Sequence, residues 1–405
     1  MATIPSLALI PSGYKASKVY SVLPTDGTGD FTFTRSGNAT RINSEGLIEL
    51  VTTNVPRLNY PLIDGVVQGC PSLLLEPSRS NLITYSEAFD NIYWDKTTGG
   101  TGSVAVVTSN TIISPDGTVN ADTIVFNSGA GTTTSDQSNI GKTISISNAT
   151  TYTFSIYLKG LTGGEEILFR GSDGAYVKSV LTNEWKRYSF TSLSTSTVWG
   201  ITLGLRQGLS GIGTINSTAS VYAFGAQLEQ GSYATSYIPT QGATATRVAE
   251  TCIQTPPSGI IGQTEGTIFA HFKRNGNIVS RGGVVFLRED FLRGLSINYI
   301  NNTLYAISRN DAATTTVVLK TPFDINETAK VAITYNGSVF SGFLNGVKIF
   351  TDSVFNPFDT IVTEIRVSYG ANSGSDIEIA PNSMKDVRVY TTVLTDQECI
   401  NLTTL

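Results

Sequence analysis

Histidine occurs once in this chain of 405 residues, at position 271, and methionine twice. A single imidazole excludes a histidine-rich metal site and leaves a Ser-His-Asp relay one candidate base. Cys70, Cys252 and Cys399 are far apart and odd in number, which does not describe a disulfide framework; buried thiols are the expectation. Charged residues make up only 15% of the chain, too few for long solvated helices. No apolar run approaches the roughly 20 residues a membrane helix needs, so no membrane insertion is expected. Pro5 and Pro11 interrupt the N-terminus where the apolar core of a secretory signal would run, and assembly in cytoplasm follows. A phosphate-cradling G-x-x-x-x-G-K-[ST] loop is missing. The formal net charge of -5 supplies no basic footprint for a phosphate backbone, so nucleic acid is not an expected partner.

What is abundant is turn and strand chemistry. Glycine reaches 39 residues, and short alternating apolar segments recur between Gly-, Asn- and Ser-containing turns, which predicts an all-β protein. The clearest stretch is KVAITYNGSVFSGFLNGVKIF, residues 330–350. Val331, Ile333 and Tyr335 alternate with Ala332 and Thr334, and the period of two resumes at Val339 and Val347. Asn336-Gly337 and Asn345-Gly346 are placed as tight type I′ turns, giving a three-stranded meander that must rest its apolar side on another sheet.

The length suits two or three domains. Residues 1–82 have little apolar periodicity and read as an irregular leader ordered by contact with something else: the next domain, another copy, or a larger assembly. Residues 83–250 carry denser strands, among them TYTFSIYLKG, and residues 251–405 form another series after the stiff CIQTPPS joint. Two β-sandwich or jelly-roll domains behind an irregular attachment region are therefore expected. Thr395 and Glu398 stand as a capping box, predicting a short terminal helix.

The phrases FTRSGNATRINSEGLIELV, VPRLNYP, CPSLLLEPSRSNLITYSEAFDNIYW and GSYATSYIPTQGATATRVAE resemble segments of bacteriophage virion proteins of the tail-fibre and head-fibre kind. SNLITYSEAFDNIYW and VYAFGAQLEQG also resemble the first and last strands of carbohydrate-binding-module jelly rolls. LNGVKIF and DVRVYTTVLTDQEC resemble laminin-G-like and concanavalin A-like lectin sandwiches. The resemblance implies a virion appendage subunit, commonly a homotrimer, that partners other virion proteins and adheres to glycans through repeated contacts. A decoration protein that binds no glycan and a polysaccharide depolymerase are the alternatives.

Sugar binders stack exposed aromatics on sugar C–H faces. Trp199, after a polar run, is the tryptophan expected at a surface, with Tyr299 and Tyr305 beside the NNT turn as further candidates; Trp94 and Trp185 are read as core. Lectin sandwiches of this resemblance sometimes hold Ca2+, and Glu87, Asp116 and Asp122 are the middle-domain carboxylates offered for it, with Asp311, Asp376 and Glu378 later. Hydrolysis would need two facing carboxylates. Asp376 with Glu378 and Glu289 with Asp290 do not reproduce the E-x-D-x-x-E phrase of sandwich glucanases, so no enzyme is expected. His271, between Ala270 and Phe272 on a strand, is expected to be structural.

Overall fold

The computed structural model describes residues 3–63, 65–171, 174–256, 259–276, 282–289, 293–370 and 382–405. They form an all-β protein with one helix among the described residues, Asp396–Thr403. No helix there is long and apolar enough to cross a membrane.

Residues 95–230 build one sandwich of two five-stranded antiparallel sheets. One sheet runs in the order Asp95–Gly99, Gln137–Ser145, Val198–Arg206, Glu166–Arg170, Tyr176–Val180. The other runs Ser103–Ile113, Val119–Asn127, Thr218–Gln230, Thr151–Gly160, Lys186–Leu193. Period-two alternation aims Phe154, Ile156 and Leu158 of one sheet at Trp199, Ile201 and Leu203 of the other, and their burial makes the core.

A second sandwich packs an eight-stranded sheet on a nine-stranded one. The meander is part of the first, as strands Thr328–Asn336, Val339–Leu344 and Val347–Val354. Asn345 and Gly346 both take positive φ, as a type I′ turn requires. The other hairpin turns one residue later than the sequence suggests. Asn336 pairs with Val339, so Gly337 and Ser338 are the central residues, and only Gly337 has positive φ. Glycine at the first central position favours this alternative, type II′ pattern. Both faces of the Thr328–Asn336 strand are buried: Val331, Ile333 and Tyr335 in the main core, and Ala332, with Phe343 of the neighbouring strand, under the terminal helix. That helix begins with the expected capping box of Thr395 and Glu398.

The leader completes this second sandwich. Leu7–Leu9 and Ser72–Leu75 both pair with Asn382–Tyr390, and Leu58–Asn59 extends the same sheet. Tyr14–Lys15, Lys18–Val19 and Phe31–Thr34 extend the other sheet, the last pairing with Thr251–Gln254. Leu7, Leu9, Phe31, Phe33, Leu73 and Leu75 are buried in the same core as Phe272, Ile297 and Val387.

These pairings bring charges inside. Thr34 lies opposite Thr251, so the next register position sets Arg35 beside Glu250. Arg35 Nη1 donates to Glu250 Oε1 at 2.9 Å, and Arg57 grips both oxygens of the same carboxylate. Arg57 Nη1 also reaches Glu76 Oε2 at 2.7 Å, and Arg247 Nη1 lies 3.2 Å from that oxygen. Ser236 donates to Glu76 through its backbone N–H and its hydroxyl. Arg35, Arg57, Arg247, Glu76 and Glu250 are all at most 3% exposed. Burial pushes the Glu76 carboxyl up, but Arg247, Arg57 and the Ser236 hydroxyl overrule it and hold the group well below the ordinary carboxylate range.

Removing one partner of such a buried pair costs about 3–5 kcal/mol. Arg57→Met is therefore expected to lower the urea midpoint sharply at pH 7. Glu49→Gln, which removes the 40%-exposed partner of Arg41, should cost under about 1 kcal/mol. Because the folded Glu76 is held below its unfolded value near 4.5, its contribution is complete above that pH and fades as pH falls toward the folded value. Thermal melts from pH 7 to pH 3 should show the wild type losing stability below about pH 4.5, with Glu76→Gln starting lower and falling less steeply.

Candidate functional site

The outer face of the Asp95–Gly99 sheet carries a groove, and the cross-strand register explains it. Trp199, Ile201, Leu203 and Leu205 point inward, so Gly200, Thr202, Gly204 and Arg206 are left on the outer face. They oppose Thr143, Gly141, Asn139 and Gln137 respectively. In three of these four pairs one member is glycine, and the missing side chains leave a trough of about 330 Å³. Only glycine fits at position 141, where a Cβ would sit 2.2 Å from the Ile201 carbonyl oxygen.

The groove is walled by side chains suited to a polyhydroxylated ligand. On one side Tyr176 lies between two guanidiniums, with Arg170 Cζ 5.9 Å and Arg206 Cζ 5.7 Å from its ring centroid. Arg206 Nη1 donates to Tyr176 Oη at 3.1 Å, and its Nε to the Thr134 carbonyl. Neither arginine has an acidic partner among the described residues. On the other side Lys142 Nζ lies 3.4 Å from Asp95 Oδ2 and 5.0 Å from the centre of the Tyr93 ring. Asn139 is buried in the floor, and its Oδ1 has no protein donor. An aromatic face flanked by guanidinium donors forms a set that can stack on a sugar ring and bond its hydroxyls.

The aromatic residues singled out from the sequence are elsewhere. The exposed Trp199 is corrected: its ring is fully buried, stacked edge-on against Tyr152 and Phe190, with Nε1 donating to the Arg170 carbonyl. The signal was its phase, since Trp199 alternates with Ile201, Leu203 and Leu205. Tyr299 is likewise fully buried, under Arg274 and against Phe323, and so offers no surface for stacking. Tyr299 pairs with Leu304, which places Tyr305, opposite Asn298, on the other face of the sheet; Tyr305 is half-buried. Trp94 is core, as expected, whereas Trp185 is the half-buried tryptophan, bonded through Nε1 to the Ile113 carbonyl. Arg170, Tyr176 and Arg206 were not singled out. Arg206 could have been found as the outward residue ending WGITLGLR; Arg170 and Tyr176 have no such signal.

The carboxylates offered for calcium do come near one another. Asn120 Nδ2 lies 3.4 Å from Glu87 Oε2 and 3.0 Å from Asp116 Oδ2, and Glu87 and Asp122 line one pocket. Their lone pairs are largely committed, however. Asp122 accepts from the backbone N–H groups of Phe89 and Asn110, Asp116 from Ser114 and Thr118, and Glu87 from Tyr237. Burial pushes the Glu87 and Asp122 carboxyls up, which disfavours the charged form a cation would need. Among the described residues no group of three or more His, Cys, Asp or Glu side chains is arranged to hold a metal ion. Asp311 bonds Arg293 at the surface; Asp290, Asp376 and Glu378 lie outside the described residues.

Residues 250–399 match the family model described as the concanavalin A-like lectin/glucanases superfamily, well under half of the chain. No curated protein matches the sequence. Among solved structures, the Ruminococcus gnavus IT-sialidase CBM40 bound to α2,3-sialyllactose is similar at 18% identity, over 36% of this chain and 84% of that one, with a TM-score of 0.31. Domain 4 of the arabinanase AbnA from Geobacillus stearothermophilus, in complex with arabinotriose, is similar at 15% identity, over 43% and 81%, with a TM-score of 0.30. The Trypanosoma rangeli sialidase in complex with sialic acid is similar at 9% identity, over 74% and 52%, with a TM-score of 0.32. Likenesses of this size assign neither a site nor an activity to this chain.

Since the three carboxylates are satisfied internally, exhaustive chelation should shift the melting temperature by less than about 1 °C, because no native-state ligand is removed. A fall of several degrees, restored by calcium, would place a cation there after all.

Proposed function

We propose that this protein is a glycan-binding, non-catalytic subunit of a bacteriophage surface appendage, and that the groove around Tyr176 is its sugar site. The observation that carries the reading is the groove itself: a trough with Gly141 and Gly200 in its lining, flanked by Tyr176 with Arg170 and Arg206 beside its ring. The lectin-superfamily match of residues 250–399 supports a carbohydrate role for the chain as a whole. The virion setting rests on the resemblance of the leader phrases to fibre proteins, and a homotrimer that multiplies modest affinities follows from the same resemblance.

Binding rather than cleavage is supported by the charges in the groove. Glycoside hydrolysis uses two carboxyl groups flanking the scissile bond. Among the described residues the groove lining offers Arg170, Arg206 and Lys142 against one carboxylate, Asp95, which is paired with Lys142.

Glycan-array binding by the full chain tests this directly. Tyr176→Ala and Arg206→Gln are each expected to weaken the best glycan about tenfold, the scale of one lost aromatic or charged anchor, without release of reducing ends by any variant. Undiminished binding by both variants, or sustained reducing-end release by the wild type, would overturn the assignment. Antibody against the chain should label phage particles.

A further inference from the structure

A second cavity, of about 830 Å³, opens where the leader and both sandwiches meet. This is within the range of clefts that hold small ligands. Among the described residues its lining carries five cationic side chains, Arg41, Lys186, Arg187, Lys273 and Lys385, against two carboxylates, Glu76 and Glu184. The chain as a whole is acidic, with a formal net charge of -5, so the cleft is a local reversal of sign. Of the two acids, Glu76 is consumed by Arg57 and Arg247, and of the five cations Arg41 is paired with Glu49.

Lys273 and Lys385 are the unusual pair. Strand Glu265–Arg274 pairs with Asn382–Tyr390, but the register slips between His271 and Phe272, whose partners are Asp386 and Met384. Lys385 is the extra residue of that bulge, and the slip brings its ammonium to the cleft that Lys273 also lines. Both lysines are partly buried, and neither has a hydrogen-bonding or ionic partner among the described residues. Burial and then the neighbouring Lys385 lower the proton affinity of Lys273, and burial followed by Lys385 and Lys330 pushes His271 down to about 4. Two like charges lining one cleft with no counter-ion among the described residues cost stability, and an anion placed between them would recover it.

The rest of the cleft offers sugar-compatible groups. Trp185 is half-buried with its Nε1 already bonded, so its remaining exposed surface is apolar. The amides of Asn183, Asn275 and Asn326, together with Tyr60, line the surrounding walls. We propose that this cleft is a second binding site, for an acidic oligosaccharide whose carboxylate sits between Lys273 and Lys385 and whose ring packs on Trp185. A ligand there touches the leader and both sandwiches at once. The inference does not depend on the groove around Tyr176.

Calorimetric titration of the full chain with tetragalacturonate tests it, in a Tyr176→Ala/Arg206→Gln background that silences the groove. Binding is expected to persist in that background, to weaken with added salt, and to be absent for neutral maltotetraose. Adding Lys273→Met and Lys385→Met should cut the affinity at least tenfold while the ligand-free melting temperature stays level or rises, because a repulsion has been removed. Affinity changed less than twofold, or equal binding of maltotetraose, would overturn the proposal. A measurement on the unmodified lysines guards against misfolding: tetragalacturonate should shift the tryptophan fluorescence of the groove-silenced chain, and Trp185→Phe should abolish the shift. No shift would equally overturn it. Loss of binding at the groove with retention here would separate the two sites.

Discussion

Three guanidiniums and two carboxylates sealed from water hold this molecule together. Arg35, Arg57, Glu76, Arg247 and Glu250 come from the leader and from the segment that leads into the second sandwich, and each lies at the end of, or next to, a paired strand. Charges in such a place are tolerable only when every one is matched, so the cluster penalises any arrangement in which the leader is displaced. Glu229, buried at the end of the Thr218–Gln230 strand, is tied to Thr235, and Thr235 in turn bonds Arg247, which links the middle sandwich to the same cluster. The phrases that resemble virion fibre proteins contain these residues: Arg35 in FTRSGNATR, Arg57 in VPRLNYP, Glu76 in LLLEPSRSN, Arg247 and Glu250 in ATATRVAE. Residues 215 positions apart, Arg35 and Glu250, thus belong to one physical unit.

With the leader fixed, the sandwiches are free to present their outer faces. A sheet surface is ordinarily a level field of side chains; the middle sandwich departs from that because glycines at 141, 200 and 204 lie in neighbouring cross-strand pairs. The trough is a consequence of omission, and Arg170, Tyr176 and Arg206 line one side of it. The cleft between leader and sandwiches arises differently, from a bulge that adds Lys385 to a face already carrying Lys273. Both places concentrate positive charge on an acidic chain.

Fold class was legible because burial follows period two: the meander, the TYTFSIYLKG strand and the terminal capping box appear where the pattern puts them. One hairpin was misplaced by a residue, because Asn336-Gly337 and Gly337-Ser338 are both good turn dipeptides and local chemistry does not choose between them. The leader's low periodicity was visible, but not its destination, since strands of two to four residues acquire meaning only from distant partners such as Asn382–Tyr390. The aromatic residues show the same limit. A polar run before Trp199 suggested exposure, yet its alternation with Ile201 and Leu203 decides the matter the other way. Trp185 was read as core and is instead half-open to the cleft. The groove depends on cross-strand register, which no single strand encodes.

Hydrogen exchange of the full chain with and without its best-binding glycan bears most directly on the idea that the sheet face around Tyr176 is where sugars are held. Protection should appear at 137–143, 174–176 and 200–206, with the Leu58–Asn59 and Ser72–Leu75 strands unchanged. Protection confined to other faces of the molecule, at a glycan concentration that saturates binding, would contradict it.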